Sequence, residues 1–477
     1  MSGNSVASSL LYKFAERLLV KGLGLIISII LARLLSPTEF GQIALIMVFI
    51  NLSVVLIDSG LNTALVQNKH TTIEDYSTVF YISFSIAALL VVLLWIASPF
   101  IGDYYEDEAI VLPLRVYSFT LLIGAANSVL VAKMQREMRF GKMMVCNLVA
   151  CIVAGTVGVA MAYGGFGIWA LVAYYFTSTL VTCVALLVAT KWYPLWVFSV
   201  GRARELFGYG WKMLLSGIMC GLYNDLRALI IGKVYGPADL GYYNRGQQFP
   251  EVISNTLDNA LQSVMFPVMA AEQDSAERVR TVLSRTLSMG SLIIMPLMFA
   301  LAVVAAPFIE FLLTDKWLPS VVYMQWLCVG FASIPMVSSC LVAIKALGRS
   351  DVYMRLEFVR RIVMLAVLLV SVFCFDSVLA IAVGFAVSSW LDVVVISFPM
   401  KRLFGYGLGR QIADVWRVVA AVVAMSGAMV VVGQLLELAP FWQMCCQLIV
   451  GVMVYLLACM LLKVEALRGV VAMIRKR

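Results

Sequence analysis

The sequence predicts an all-α polytopic membrane protein: about fourteen transmembrane helices, in two parallel six-helix lobes plus two C-terminal helices. Three observations predict it. Of the 477 residues, 62% are hydrophobic and only 13% charged, with a mean hydropathy of +0.96; soluble domains run at roughly 45–50% apolar and 25% charged. Lys and Arg alternate from loop to loop. A 33-residue segment occurs twice, Ile30–Asn62 aligning without a gap on Ile230–Gln262, 200 positions later.

The second copy, LIIGKVYGPADLGYYNRGQQFPEVISNTLDNALQ from Leu229, pairs Arg33 with Lys233, Pro37 with Pro237, Glu39 with Asp239, Gly41 with Gly241, Phe49 with Phe249 and Asp58 with Asp258. In both copies an apolar run ends at a basic residue, turns through Pro and Gly, and starts a second run. Pro and Gly carry backbone information, so their recurrence at fixed offsets marks a duplication better than matching Leu or Val would.

A bilayer core requires about 20 apolar residues per helix. Runs bounded by charge or by Gly/Pro clusters then fall at 8–33, 40–58, 76–98, 110–132, 144–163 and 166–190 in the first lobe, 1–200. The second lobe, 201–400, repeats the count at 207–233, 240–267, 286–309, 319–344, 355–374 and 377–398. Two more spans, 415–436 and 440–462, precede a basic tail in the remaining 401–477. Loops on one face are rich in cations, among them Lys133, Arg136, Arg139 and Lys142, then Lys345, Arg349, Arg355, Arg360 and Arg361. The opposite face holds Arg33, Lys233, Arg245 and Lys316, and its loop at 103–108, DYYEDE, is acidic. That asymmetry puts both termini in the cytoplasm. Six spans separate the twin segments, an even number, so the lobes share one orientation and are related by a pseudo-two-fold along the membrane normal.

The net charge of +8 is dispersed between spans and forms no basic, aromatic-interleaved face, which argues against nucleic acid as a partner. The ten Cys lie scattered in apolar segments without metal-ligand spacing and read as small core hydrophobes. Lys13, Glu16, Arg17 and Lys21 interrupt the first apolar segment, which therefore reads as a span and not a cleavable signal. The single His70 reads as a solvated loop residue. Tyr242, Tyr243, Trp192, Trp196, Trp317 and Trp326 flank spans as interfacial anchors. No catalytic constellation, metal site or cofactor motif appears, and the chain reads as a carrier and not an enzyme.

Ionisable residues inside spans face protein or a water-filled cavity. On the first span Lys13, Arg17 and Lys21 recur every four residues on one face and climb about 12 Å toward mid-membrane, with Glu16 beside them. The seventh span carries Lys212, Tyr223 and Arg227 within about 60° of one another, while Asp225 points elsewhere. Arg115, in the fourth span, suits either snorkelling or a cavity role. The eighth span bears a polar stripe of Gln248, Glu251, Asn255, Asp258, Asn259 and Gln262 opposite a face of Val, Ile, Leu and Met. Such a stripe hydrogen-bonds neighbouring helices or lines water; six polar residues exceed what packing needs.

The stretches ILARLLSPTEFGQIAL (Ile30–Leu45), GKVYGPADLGYYNRGQQFPEVISNTLDNALQSVMFPVMA (Gly232–Ala270) and KALGRSDVYMRLEFVRR (Lys345–Arg361) resemble bacterial polysaccharide exporters. These are oligosaccharide flippases of the multidrug/oligosaccharidyl-lipid/polysaccharide superfamily, in the branch tied to lipopolysaccharide, colanic-acid and teichuronic-acid synthesis. The resemblance implies a two-lobed V in the bacterial inner membrane that opens alternately to each side. It also implies a substrate, an oligosaccharide on undecaprenyl pyrophosphate, that moves from the cytoplasmic to the outer leaflet through a cationic cavity, with polymerase and export machinery as partners. The chemistry agrees, because cations and amides offset the cost of bringing a pyrophosphate into hydrocarbon. Arg17, Lys21, Lys212 and Arg227 are then expected to hold the head group, and Gln248, Glu251, Asn255 and Asn259 to contact sugar. Glu16, Asp225, Glu251 and Asp258 are the candidates for a coupling H⁺ or Na⁺. The alternatives are a multidrug antiporter of the same superfamily, which would favour an acidic, aromatic cavity, and a membrane polymerase, which would need a long catalytic outer loop.

Overall fold

The computed structural model describes residues 3–58, 65, 72–199, 201, 221, 225–273, 275–436 and 438–464, with residues 3–18 and 350 by backbone alone. Among them all regular structure is helical. Among the described residues, ten helices or helix pairs are long and apolar enough to cross a membrane. The chain divides into two compact units, Met1–Gly241 and Tyr242–Arg477.

The first unit holds α1 (Gly3–Leu34), α2 (Pro37–Asp58), α3 (Ile73–Tyr105), α4 (Val111–Ser118), α5 (Thr120–Arg136), α6 (Phe140–Tyr163), α7 (Ile168–Thr190) and α8, the helical residues 225–234. The helix α9 (Pro237–Ala271) begins at its end and runs into the second unit. That unit continues with α10 (Ala276–Val303), α11 (Ala305–Leu313), α12 (Ser320–Phe331), α13 (Ile334–Ala346), α14 (Ser350–Cys374), α15 (Val378–Phe404), α16 (Leu408–Leu435) and α17 (Pro440–Leu461). In the first unit α3 leads to a 3₁₀ turn at Glu108–Ile110, then to α4 and α5 and two further long helices; in the second, α10 and the short α11 lead to a 3₁₀ turn at Asp315–Trp317, then to α12 and α13 and two further long helices. The fourth span, expected as one helix at 110–132, is α4 and α5, bent at Phe119 where the Ser118 and Thr120 hydroxyls donate back to the Arg115 and Tyr117 carbonyls at 2.7 and 2.6 Å.

Local chemistry sets the helix starts. Ser36 and Glu39 form a reciprocal cap ahead of α2: the Glu39 N–H donates to Ser36 Oγ at 3.4 Å, and Glu39 Oε2 accepts from the Ser36 N–H at 2.6 Å. Pro37 then supplies a first helical position at which the missing N–H costs nothing. Thr72 and Asp75 cap α3 the same way. In the second copy Gly236 turns the chain at φ +91° before Pro237. The two turns meet. A Cβ on Gly41 would overlap the Pro237 carbonyl, and one on Gly241 would overlap the Pro37 carbonyl. The duplicated glycines are therefore seats for each other's prolines.

Prolines inside spans free carbonyls, and neighbours answer them. Pro99 deprives the Trp95 carbonyl of its helical donor. The Ser98 hydroxyl donates to that carbonyl at 2.9 Å; Arg115 on α4 reaches it with Nη2 at 3.4 Å, bonds Ser98 Oγ through Nε at 2.7 Å, and lies 5.6 Å from the Trp95 ring centre. Arg115 thus supports the freed carbonyl together with Ser98, a third role beside the two expected for it. On α10, Pro296 frees the Leu292 carbonyl, and the Tyr455 hydroxyl of α17 donates to it at 2.7 Å.

Burial sorts the spans of the second unit. The α12–α13 span is 72% buried within the protein and α17 only 17%, so the first sits centrally and the second at the edge. A buried ionic group ties α14 to α15: Arg360 bonds Glu357 Oε1 at 2.6 Å and Asp392 Oδ2 at 2.8 Å. At the near end of α16, Asp414 accepts hydrogen bonds from Ser284 and Tyr406, and burial beside that carboxylate pushes the Tyr406 phenol up.

The aromatic anchors split. Trp196 is 96% exposed and suits an interface, whereas Trp192, Trp317 and Tyr243 are buried. Trp192 packs edge-on against Tyr76 and Phe80, and Trp317 meets Tyr242 at 6.0 Å. Trp192 and Trp317 are core residues because the segments that carry them, after α7 and in the 3₁₀ turn before α12, fold back onto the helices, and Tyr243 faces inward from α9.

Candidate functional site

In the first unit Lys21 is exposed on α1, and Asp225 and Arg227 are half-buried on α8. Two residues apart, the last two point to different sides of their helix. Glu16 and Arg17 fall in the segment described by backbone alone, and Lys13, Lys212, Tyr223 and Asn224 lie outside the described side chains.

In the second unit α9 carries the polar stripe without interruption, and its residues divide into three groups. At the leading end Arg245, counted in the sequence with the cations of the acidic-loop face, is 4% exposed within the helix. Its guanidinium donates to Gln248 Oε1 and lies 5.5 Å from the Trp317 ring centre. A turn on, Gln247 Nε2 donates to Glu251 Oε2 at 2.9 Å. At the far end Asp258 Oδ1 accepts from the Ser338 hydroxyl of α13 at 2.6 Å and from Gln262 Nε2 at 3.2 Å, while Gln262 also donates to Ser338 Oγ at 2.9 Å. Ser338, absent from the sequence-derived candidates, closes this triangle.

Between the two bonded ends, Asn255 is half-buried, Asn259 is exposed, and neither makes a hydrogen bond among the described residues. One turn apart, they share a face. Each carboxamide offers two donors and an acceptor, the complement of sugar hydroxyls. The i to i+3 spacing from Arg245 to Gln248 was available in the sequence. The Trp317 ring that buries the arginine, from a loop 72 positions later, was not.

Comparison with known proteins places the chain in a family. The succinoglycan biosynthesis transport protein ExoT of Rhizobium meliloti is 28% identical over 60% of this chain and 58% of its own length. The lipopolysaccharide biosynthesis protein WzxC of Escherichia coli is 24% identical over 65% of this chain and 64% of its own. The chain thus matches about three fifths of the length of these relatives. Among solved structures, the lipid II flippase MurJ, in an inward closed conformation, shares the fold with a TM-score of 0.76 at 13% identity, over 95% of this chain and 98% of that one. An inward-facing multidrug transporter of the MATE family scores 0.59 at 16% identity, over 81% and 95%. Residues 30–322, which contain both copies of the duplicated segment, match the polysaccharide biosynthesis protein family, and the chain belongs to it.

Proposed function

We propose that the chain is a flippase with fourteen spans, two six-helix lobes at 1–200 and 201–400 and an accessory C-terminal pair. It moves undecaprenyl-pyrophosphate-linked oligosaccharide from the cytoplasmic to the outer leaflet of the bacterial inner membrane, both termini being cytoplasmic, by alternating access through a cationic central cavity. Membership of the polysaccharide biosynthesis family and the MurJ-like fold support a lipid-linked glycan as cargo. The observation that carries the reading is the pair of unbonded amides, Asn255 and Asn259, held open between the bonded ends of the α9 stripe. Binding is divided by chemistry. Arg17, Lys21, Lys212 and Arg227 neutralise pyrophosphate; Gln248, Glu251, Asn255 and Asn259 exchange hydrogen bonds with sugar hydroxyls; and the polyprenyl tail stays in lipid. Glu16, Asp225, Glu251 and Asp258 are the candidates for a coupling H⁺ or Na⁺; of these Glu251 and Asp258 already accept hydrogen bonds.

The test uses the purified protein in liposomes, following the appearance of an undecaprenyl-pyrophosphate oligosaccharide in the opposite leaflet beside uptake of a cationic dye. Flipping by the parent protein, lost in Arg227→Ala and in the Asn255→Ala, Asn259→Ala double variant, is expected. Dye uptake without flipping would make the chain a multidrug antiporter, the reading its MATE-like fold also accommodates.

A further inference from the structure

We propose that Lys233 and the acidic loop 103–108 form an outer latch, which keeps the outer end of α8 against the end of α3 until the transport cycle parts them. The proposal rests on the alternating-access reading above, and every residue in it lies in the first compact unit. Lys233 Nζ sits 2.9 Å from Glu106 Oε1 and 4.9 Å from the centre of the Tyr104 ring, so it is gripped by an ion pair and a cation–π contact at once. The hydrogen bond from the lysine holds the Glu106 carboxyl below its ordinary range.

The loop is itself tied down. Asp107 Oδ2 accepts from Gln42 Nε2 on α2 at 2.7 Å, and Tyr105 meets Phe49 of α2 edge-on at 6.4 Å. The loop thus joins α2 of the first sequence copy, through Asp107, to α8 of the second, through Glu106. Just beside it the twin turns interlock, Gly41 under Pro237 and Gly241 under Pro37.

Glu106 caps α3 in the left-handed region at φ 56°, ψ 33°, as Lys191 caps α7, which turns the chain sharply after the helix. Its carboxylate, 82% exposed, has Lys233 as its ion-pair partner. An exposed pair of this kind is weak, which suits a contact that must break in every cycle.

The test reads accessibility from the outer side. Asn51 is exposed on α2, about 21 Å along the helix from Pro37. In full-length Asn51→Cys protein, in right-side-out vesicles, a membrane-impermeant maleimide is added outside and the adduct at position 51 is read by mass spectrometry, so that native cysteines do not interfere. Glu106→Gln and Lys233→Gln are each expected to raise the labelling rate about two- to fivefold. Exchanging the charges, Glu106→Lys with Lys233→Glu, is expected to restore the parent rate. Labelling unchanged in the single variants, or a charge exchange as open as they are, would overturn the latch. A parent protein that moves no lipid-linked oligosaccharide while its labelling still responds would uphold the latch and sink the flippase reading.

Discussion

Removing the Tyr455 hydroxyl tests whether a kinked span is repaired by its neighbour. The Leu292 carbonyl lacks its regular helical donor because residue 296 is proline, and the Tyr455 hydroxyl reaches it at 2.7 Å with Leu292 buried. Hydrogen bonds between membrane helices average about 0.6 kcal/mol and reach about 1.7, while an acceptor left buried and unpaired costs about 1–3. Here the acceptor has no helical bond to fall back on, so the upper part of the membrane range applies. Tyr455→Phe is expected to destabilise the protein by about 1.5 kcal/mol. Pro296→Ala restores an N–H at the position that serves residue 292. In that background the same Tyr455→Phe change is expected to cost less than about 0.5 kcal/mol, leaving a coupling of about 1 kcal/mol between the two sites. The assay is reversible unfolding in mixed micelles with increasing SDS, followed by tryptophan fluorescence, on the parent, both single variants and the double variant. Equal cost of Tyr455→Phe in both backgrounds would refute the idea that Tyr455 acts through the carbonyl freed by Pro296.

Asp392→Ala is expected to lower stability in the same titration by about 3 kcal/mol, the low end for breaking a buried pair, because Arg360 keeps Glu357 at 2.6 Å; a loss below about 1 kcal/mol would mean the pair is solvated. The Lys233–Glu106 contact has its own pH dependence. Its acid has a folded pKa below the usual 4.5, so the contribution is complete above that value and is lost as the pH falls through the folded one. Labelling at residue 51 should therefore be flat from pH 7.5 to 5.5 and rise only once the pH falls below the usual carboxylate range; a rise near pH 6 would point to another group.

Repetition made the sequence readable. Pro37, Gly41, Pro237 and Gly241 gave the register of the duplication because each fixes backbone, and the same four residues meet in the fold. Span edges moved where a local signal was outweighed. α3 runs from Ile73 to Tyr105, well past the expected 76–98, because Pro99 sits inside a helix whose freed carbonyl is taken up by Ser98 and, from α4, by Arg115. That arginine is answered by a neighbouring helix, as Arg245 is by Trp317 and Asp258 by Ser338. None of these partners is local, so no periodicity could announce them. The stripe of α9 was legible as a stripe; which of its members are already bonded was not.

The interlocked turns constrain how the two copies can change. The nearest obstacle to a substitution at Gly41 lies in the other copy, the backbone at Pro237, and Gly241 stands in the same relation to Pro37. Each copy is thus the mould in which the other is cast. A replacement in either would have to be matched by backbone movement in its twin, whereas positions elsewhere are free to drift separately. Two gene halves that have diverged over most of their length would keep their common ancestry longest at such a place.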